Sequence, residues 1–319
     1  MGEFEIIERY FLPLTKDRKE AQGFQNDAAI LDIPYGKQVV VTSDTLSEGT
    51  HFLDSQEPDT VASKALRTNL SDLAAMGAKP YCYQLCLSLP EFKEDWIAKF
   101  THGLERDQNY YGLFLSGGDT TSIKGPLTIS ITAFGLVDEG KAVPRNGAKA
   151  GDLVFLTGMI GDAFCGLQAL RGKVQNAGDH CVNLYYRPEP PVEFASRIGG
   201  VVNAAIDISY GLIADLGHIA KASQVSVVVE LDSIVFSADV QALLDKNAVT
   251  KAQLLSGGDD YQLLMSVAPE NTRNLEEIAR ESGVNLQQIG IIQDGEAQVL
   301  ALDENGLPLE FDTAGWQHF

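Results

Sequence analysis

Several protein classes are set aside by what this chain lacks. Its 319 residues contain only four cysteines, Cys82, Cys86, Cys165 and Cys181, and none stands in a CxxC or Cys/His ligand spacing. A disulfide scaffold is therefore not expected, and the thiols read as those of a reducing compartment, which predicts a cytoplasmic protein. No apolar run approaches the ~18 residues of a membrane span, and no apolar leader follows Met1, so no membrane partner is expected. The five histidines are scattered, with no HExxH and no GxSxG. That gives neither a zinc protease nor a Ser/His/Asp hydrolase any support. Basic residues are scarce as well: 24 Lys and Arg stand against 44 Asp and Glu, a net charge of −20. Such a balance disfavours nucleic acid and anionic lipid as partners. It leaves room for anionic substrates, because bound cations invert the local field.

What the chain does have is an ordinary globular composition, 45% hydrophobic and 21% charged, and a length suited to two domains. Strands and helices follow one another in an order that predicts an α+β fold. Residues 1–137 form an N-terminal mixed α/β half, and residues 153–319 a C-terminal α/β, sandwich-like domain. The Gly-, Lys- and Pro-rich stretch 138–152 reads as the linker.

Within the first half, Leu113-Phe-Leu-Ser-Gly-Gly-Asp-Thr-Thr-Ser122 looks like a short buried strand broken by Gly117 and Gly118. Glycines at such a break let backbone N–H groups approach a ligand, and Asp119 beside them can face a hard cation. A second β-branched strand, Gln38-Val-Val-Val-Thr-Ser43, runs into Asp44 and is expected to end there. Pro58 and Asp59 open a helix that Gly77 and Pro80 close, with Asn69 and Asp72 on one face. In the second half, Asp207 and Ser209 precede a helix, where Ser209 could be its N-cap. The stretch Gly158-Met-Ile-Gly-Asp162 turns from a strand into another helix and offers a weak anion site. Ser256-Gly-Gly-Asp259 echoes the earlier Ser-Gly-Gly-Asp and would fit an internal duplication.

Asp27, Asp44, Asp72 and Asp119 come from four elements of the first half, and Asp207 and Asp259 come from the second. Hard divalent ions bound together with phosphates take a few carboxylates, water and phosphate oxygens. Thr42 and Ser43 could add further oxygen beside Asp44. The residues alone thus point to an enzyme that handles phosphates through Mg²⁺.

These stretches together resemble the thiamine-monophosphate kinases of the aminoimidazole-ribonucleotide-synthetase-like superfamily. The resemblance rests on Asn26-Asp-Ala-Ala-Ile-Leu31, Val41-Thr-Ser-Asp-Thr45 with His51-Phe52, and Asn69-Leu-Ser-Asp-Leu-Ala-Ala-Met-Gly-Ala78. Ser116-Gly-Gly-Asp-Thr-Thr121, Arg145-Asn-Gly-Ala148, Asp207-Ile-Ser209, Ser256-Gly-Gly-Asp-Asp-Tyr261 and Gly315-Trp-Gln-His-Phe319 extend it over almost the whole chain. It implies transfer of the γ-phosphoryl of ATP to thiamine monophosphate, with no side chain as general base. It also implies a homodimer whose N-terminal halves form a shared β-barrel. Carried over, Asp27, Thr42, Ser43, Asp44, Asp72, Asp119 and Asp207 would hold several Mg²⁺ ions. Gly118, Asp119, Arg145 and Ser209 would contact ATP, and His51, Gln262 and Trp316 the thiamine substrate. Three positions depart from the family pattern: Gln25-Asn26-Asp27 replaces Gly-Asp-Asp, Tyr210 replaces an Asp, and Gln262 replaces a Glu. A superfamily relative acting on selenide or a ribonucleotide amide, or a non-catalytic ATP- and metal-binding regulator, are the alternative readings.

Overall fold

A computed structural model of the chain describes residues 2–311 and Gly315. Two compact units result: Met1–Leu73 with Ala78–Gly140, and Ala74–Gly77 with Lys141–Phe319.

The first unit begins with a short helix α1 (Glu3–Ile6) that runs into a wider π turn, Ile7–Phe11, and a 3₁₀ turn, Leu12–Thr15. It then holds β1 (Lys37–Ser47), α2 (Pro58–Ala75, its last two residues counted with the second unit), β2 (Lys79–Leu89), α3 (Glu94–Tyr111), β3 (Phe114–Ser122) and β4 (Thr128–Asp138). The four strands form one sheet in the order β1-β4-β2-β3, with β2 and β3 parallel and the other pairs antiparallel. Strand β4 alternates strictly, with Ile129, Ile131, Ala133 and Val137 buried and the residues between them half-buried. That period of two is what a sheet covered on one face requires. Helix α2 supplies Leu66, Leu70 and Leu73, and α3 supplies Ile97, Phe100 and Leu104, all fully buried. Helix α3 ends at Gly112, whose left-handed φ of 76° lets the chain turn back into β3.

Two strands differ from the sequence reading. Strand β1 does not stop before Asp44 but continues to Ser47, because β4 offers a paired partner at every step from Lys37 to Ser47. Likewise Gly117 and Gly118 do not break β3. The strand runs through them, and the pairing slips by one residue where Ser116 bulges out between Leu115 and Gly117. Gly118 makes this possible: a Cβ there would lie 1.9 Å from the Leu85 carbonyl oxygen.

The second unit contains β5 (Leu153–Thr157), α4 (Asp162–Leu170), α5 (Gly178–Tyr186), α6 (Val192–Ala195), β6 (Ala204–Asp207) and α7 (Leu212–Ser223). It continues with β7 (Ser226–Glu230), α8 (Ala238–Asp245), α9 (Lys251–Ser256), β8 (Leu263–Val267), α10 (Thr272–Glu281), β9 (Leu286–Gln293) and β10 (Gln298–Leu302). Six strands form a mixed sheet in the order β10-β7-β9-β5-β8-β6. Its central strands are buried on both faces, and β8 is buried at all five positions. Val154, Leu156, Ile206 and Leu264 pack with Leu212, Leu216 and Ile219 of α7 in one cluster. Phe155, Ala205, Leu263 and Met265 pack with Phe194, Leu275 and Ile278 in the other. Near-continuous apolar runs in these strands follow from that two-sided burial.

Ser256-Gly-Gly-Asp259 is not a second copy of β3. Its serine ends α9 and the rest lies in the connection that follows, whereas Ser116-Gly-Gly-Asp119 lies within a strand, so the echo carries no structural repeat.

Candidate active site

In the first unit the candidate ligands gather where β1 meets α2. Alternation along β1 turns Thr42 and Asp44 toward the helices, and Asp72 comes from the last turns of α2. Thr42 Oγ1 donates a hydrogen bond to Asp72 Oδ2 at 2.5 Å. Asn69, fully buried one turn earlier, accepts the Asp44 backbone N–H at 3.2 Å and donates to the Ala65 carbonyl at 3.0 Å. Burial, and then the charge of Asp72, push the Asp44 carboxyl up to about 6, against a hydrogen bond from Thr68 that lowers it. A carboxyl raised by a neighbouring carboxylate is one that a bound cation would relieve. At the end of the same strand, His51 Nδ1 accepts the Ser47 N–H at 3.0 Å, which leaves Nε2 as the protonated nitrogen.

The sheet register keeps other predicted ligands away from this pair. Asp44 pairs with Ile131, Ile131 with Leu85, and Leu85 with Gly118, so Gly118 shares its row but stands on the opposite edge strand. Three strand spacings of ~4.8 Å put about 14 Å of sheet between them. Asp119 occupies the next row, paired with Cys86, on the face away from Asp44, and is exposed. Asp119 therefore does not sit at a corner of the Asp44–Asp72 pair within this chain. Ser43 also faces the other side, where its hydroxyl bonds the Ile131 carbonyl at 3.2 Å and the Thr132 hydroxyl at 3.0 Å. Asp27 is exposed in the irregular stretch after the turn Lys19–Phe24, and the neighbouring Asn26 amide donates to Gln22. Among the described residues, no three His, Cys, Asp or Glu side chains come together as a metal-holding group.

In the second unit Asp207 is the buried last residue of β6, paired with Leu263. Ser209 is half-buried in the connection to α7. Ser209 is not the N-cap of α7; that position is Gly211, and the hydrogen-bonding side chain is Asp215. Arg145 is exposed, and its carbonyl accepts from Ser223 Oγ at 3.3 Å. Gln262 Oε1 accepts from the Thr157 hydroxyl at 2.9 Å, while its amide donates to the Glu189 carbonyl at 3.0 Å. A glutamate at this position would have no proton for the Glu189 carbonyl at neutral pH, so the departure from the family residue alters local bonding. Trp316 lies outside the described residues.

The turn that offered a helix N-terminus to an anion is occupied from within. Both oxygens of Asp260 accept the Gly161 N–H, at 3.0 and 3.1 Å, and burial raises the Asp260 carboxyl strongly. Sequence motifs do not mark Asp215 or Asp260 as site residues. The available signals were an Asp in the first turn of α7 and the second Asp of Ser256-Gly-Gly-Asp-Asp260, both of which also suit an exposed carboxylate.

Two family models match the chain: the AIR synthase related protein N-terminal domain over residues 25–137, and the corresponding C-terminal domain over residues 149–303. The thiamine-monophosphate kinase of Salmonella typhimurium is 37% identical over 100% of this chain and 98% of its own length. That of Haemophilus influenzae is 39% identical, again over 100% and 98%. Among solved structures, the thiamine-monophosphate kinase from Stenotrophomonas maltophilia K279a superposes with a TM-score of 0.85 and 37% identity, covering 97% of this chain and 98% of that one. AaThiL complexed with AMPPCP and TMP superposes with a TM-score of 0.79 and 28% identity, covering 100% and 97%. With its identities, its full-length coverage and both domain models in register, this chain belongs to the thiamine-monophosphate kinase family.

Proposed function

We propose that the protein catalyses ATP-dependent phosphorylation of thiamine monophosphate to thiamine diphosphate. The observation that carries this reading is the full-length match to thiamine-monophosphate kinases at 37–39% identity. The Asp44–Asp72 pair with Thr42 supports it, since oxygen-only donors in a site that favours a cation suit Mg²⁺. Asp44 and Asp72 would hold the metal, with Thr42 orienting Asp72. Two carboxylates suffice, because phosphate oxygens and water fill the remaining positions of such an ion. Mg²⁺ held there would supply charge neutralisation between two polyanions during in-line transfer.

The substrate phosphate oxygen is anionic at neutral pH, so the chain needs no general base. Its own residues have to bind and align. In this reading Gly118, Asp119, Arg145 and Ser209 contact ATP. Asp119 and Asp207, with Asp27 and Ser43, stand as candidates for further ions. His51, Gln262 and Trp316 would contact the thiamine substrate, Trp316 by stacking on a cationic ring. We also assign a homodimer through the uncovered face of the first sheet. Val39 and Val41 are 38% and 55% exposed there, beside the hydroxyl pairs Ser43–Thr132 and Thr45–Ser130. A second copy would close the four strands into a shared barrel. No helix among the described residues is long and apolar enough to cross a membrane.

The test is a coupled ADP-release assay with Mg²⁺ and ATP, run with and without thiamine monophosphate. ADP that forms only when thiamine monophosphate is present supports the kinase. Tight ATP binding with no turnover would overturn it in favour of a regulator.

A further inference from the structure

The connection 208–211 between β6 and α7 is gripped on two sides by groups that take no part in the function proposed above. On one side stands Asp215, only 1% exposed in the first turn of α7. Its Oδ2 accepts three consecutive backbone N–H groups: Ser209 at 3.0 Å, Tyr210 at 3.0 Å and Gly211 at 3.1 Å. Three bonds to one carboxyl oxygen fix the path of those residues, because each ties a separate backbone N–H to the same atom. The other oxygen, Oδ1, is buried without a hydrogen-bond partner among the described residues, so this carboxyl is kept in place at a desolvation cost.

On the other side lies Ser256-Gly-Gly-Asp-Asp-Tyr261, the motif without a role so far. The Asp259 N–H donates to the Ser209 carbonyl at 3.2 Å, and the Tyr261 N–H to the Ile208 carbonyl at 2.9 Å. Ile208 N–H in turn donates to the Gln262 carbonyl at 2.8 Å. The approach is close enough to demand glycine: a Cβ on Gly258 would lie 2.1 Å from the Ser209 carbonyl oxygen, and one on Gly211 would lie 2.8 Å from the Ser256 carbonyl. Asp259 and Tyr261 hold left-handed φ values of 71° and 52°. Such conformations are costly for side chains of this kind and persist only where the surroundings over-determine them. Both the N–H and the C=O of Ser209 are thus engaged by protein. Its hydroxyl makes no hydrogen bond among the described residues.

We propose that Asp215 and the Gly257-Gly258 segment are a two-sided positioning clamp that sets the Ser209 hydroxyl, and the chain leading from Asp207, for the nucleotide phosphates. Neither side of the clamp touches the nucleotide; both act through the backbone of Ser209. The motif's glycines serve close backbone packing rather than phosphate binding. The inference rests on the reading of Ser209 as an ATP contact.

Four variants test it: Asp215→Ala, Asp215→Asn, Gly258→Ala and Ser209→Ala, each measured for kcat, for KM toward ATP and thiamine monophosphate separately, and for Tm. Asp215→Ala and Gly258→Ala are expected to raise KM for ATP by about tenfold or more, the usual scale for loss of an orienting partner. KM for thiamine monophosphate should stay unchanged. Asp215→Asn keeps an oxygen that can accept the same N–H groups and should recover most of the loss. If Asp215→Ala does not fold, Gly258→Ala and Asp215→Asn carry the comparison. A fall in Tm with the ratio of the two KM values unchanged would overturn the clamp, as would an equal rise in both. Ser209→Ala with normal KM for ATP would overturn the ATP contact itself, and the clamp with it. Ser209→Ala weakening ATP while Asp215→Ala and Gly258→Ala do not would overturn the clamp alone.

Discussion

Thr42 Oγ1 and Asp72 Oδ2 are joined by a 2.5 Å hydrogen bond that ties edge strand β1 to helix α2 beside Asp44. The tie brings together residues 30 positions apart and sets the orientation of one carboxylate of the pair. The Asp44 carboxyl, pushed up to about 6 by burial and by Asp72, answers the same crowding.

Replacing Asp44 or Asp72 by Asn should cut ATP-dependent turnover by about a hundredfold or more, in keeping with the loss of a metal ligand or its support. Circular dichroism should show both variants folded. Near-normal ADP release from both would remove the metal assignment.

Asp44→Asn should at the same time stabilise the metal-free protein, by something on the order of 1 kcal/mol at pH 7.5, because it removes a buried, repelled charge. Urea unfolding in EDTA measures this. A lower midpoint than wild type would mean that Asp44 is paired in a way that its raised carboxyl contradicts.

Thr42→Val keeps the shape of the side chain and deletes the donor to Asp72. The cost in stability should be about 1 kcal/mol, that of one hydrogen bond. The clearer effect should be a higher Mg²⁺ concentration for half-maximal rate, read by titrating Mg²⁺ at saturating ATP.

The two glycines of β3 should behave differently. A Cβ at Gly118 meets the Leu85 carbonyl oxygen at 1.9 Å, whereas one at Gly117 meets only the flexible end of Gln84 at 3.8 Å. Gly118→Ala should therefore destabilise by about 2–4 kcal/mol through broken β2–β3 pairing, and Gly117→Ala by less than about 1 kcal/mol. Equal thermal shifts for the two variants would contradict the strand geometry.

Asp215 gives the chain a pH dependence of known sign. Burial raises its carboxyl to about 7, against the three backbone N–H groups and Arg145, which lower it. A carboxyl raised in the fold contributes stability that is complete below its unfolded value, ~3.9, and is lost as pH rises through about 7. Wild type should thus lose stability relative to Asp215→Asn by up to ~1.4 kcal/mol per pH unit within that window, then level off. Urea midpoints of both proteins from pH 5 to 8.5 would show it. A constant difference across that range would contradict the burial of this group.

Local chemistry was enough to place several elements. Pro58 and Gly77 bracket α2 because proline suits a first helical turn and glycine accepts the left-handed φ of 70° after the last one. The strand expected ahead of Gly158 is β5, Leu153–Thr157, and the ordered motifs of the chain resemble the family to which its relatives belong. The aspartates at 44 and 72 were visible as candidates because their neighbours in sequence marked them.

Tertiary structure decided what those residues do together. Whether two glycines end a strand depends on the neighbour that pairs with them, and β2 carries β3 through Gly117 and Gly118. Which carboxylates meet depends on strand order, and the order β1-β4-β2-β3 brings Asp44 to Asp72 through α2 while placing Asp119 on the far edge strand. Asp215 could not be told from a solvent-facing carboxylate of a helix's first turn. Only the fold buries it and aims three N–H groups at one of its oxygens, because burial and pairing are set by residues distant in the chain.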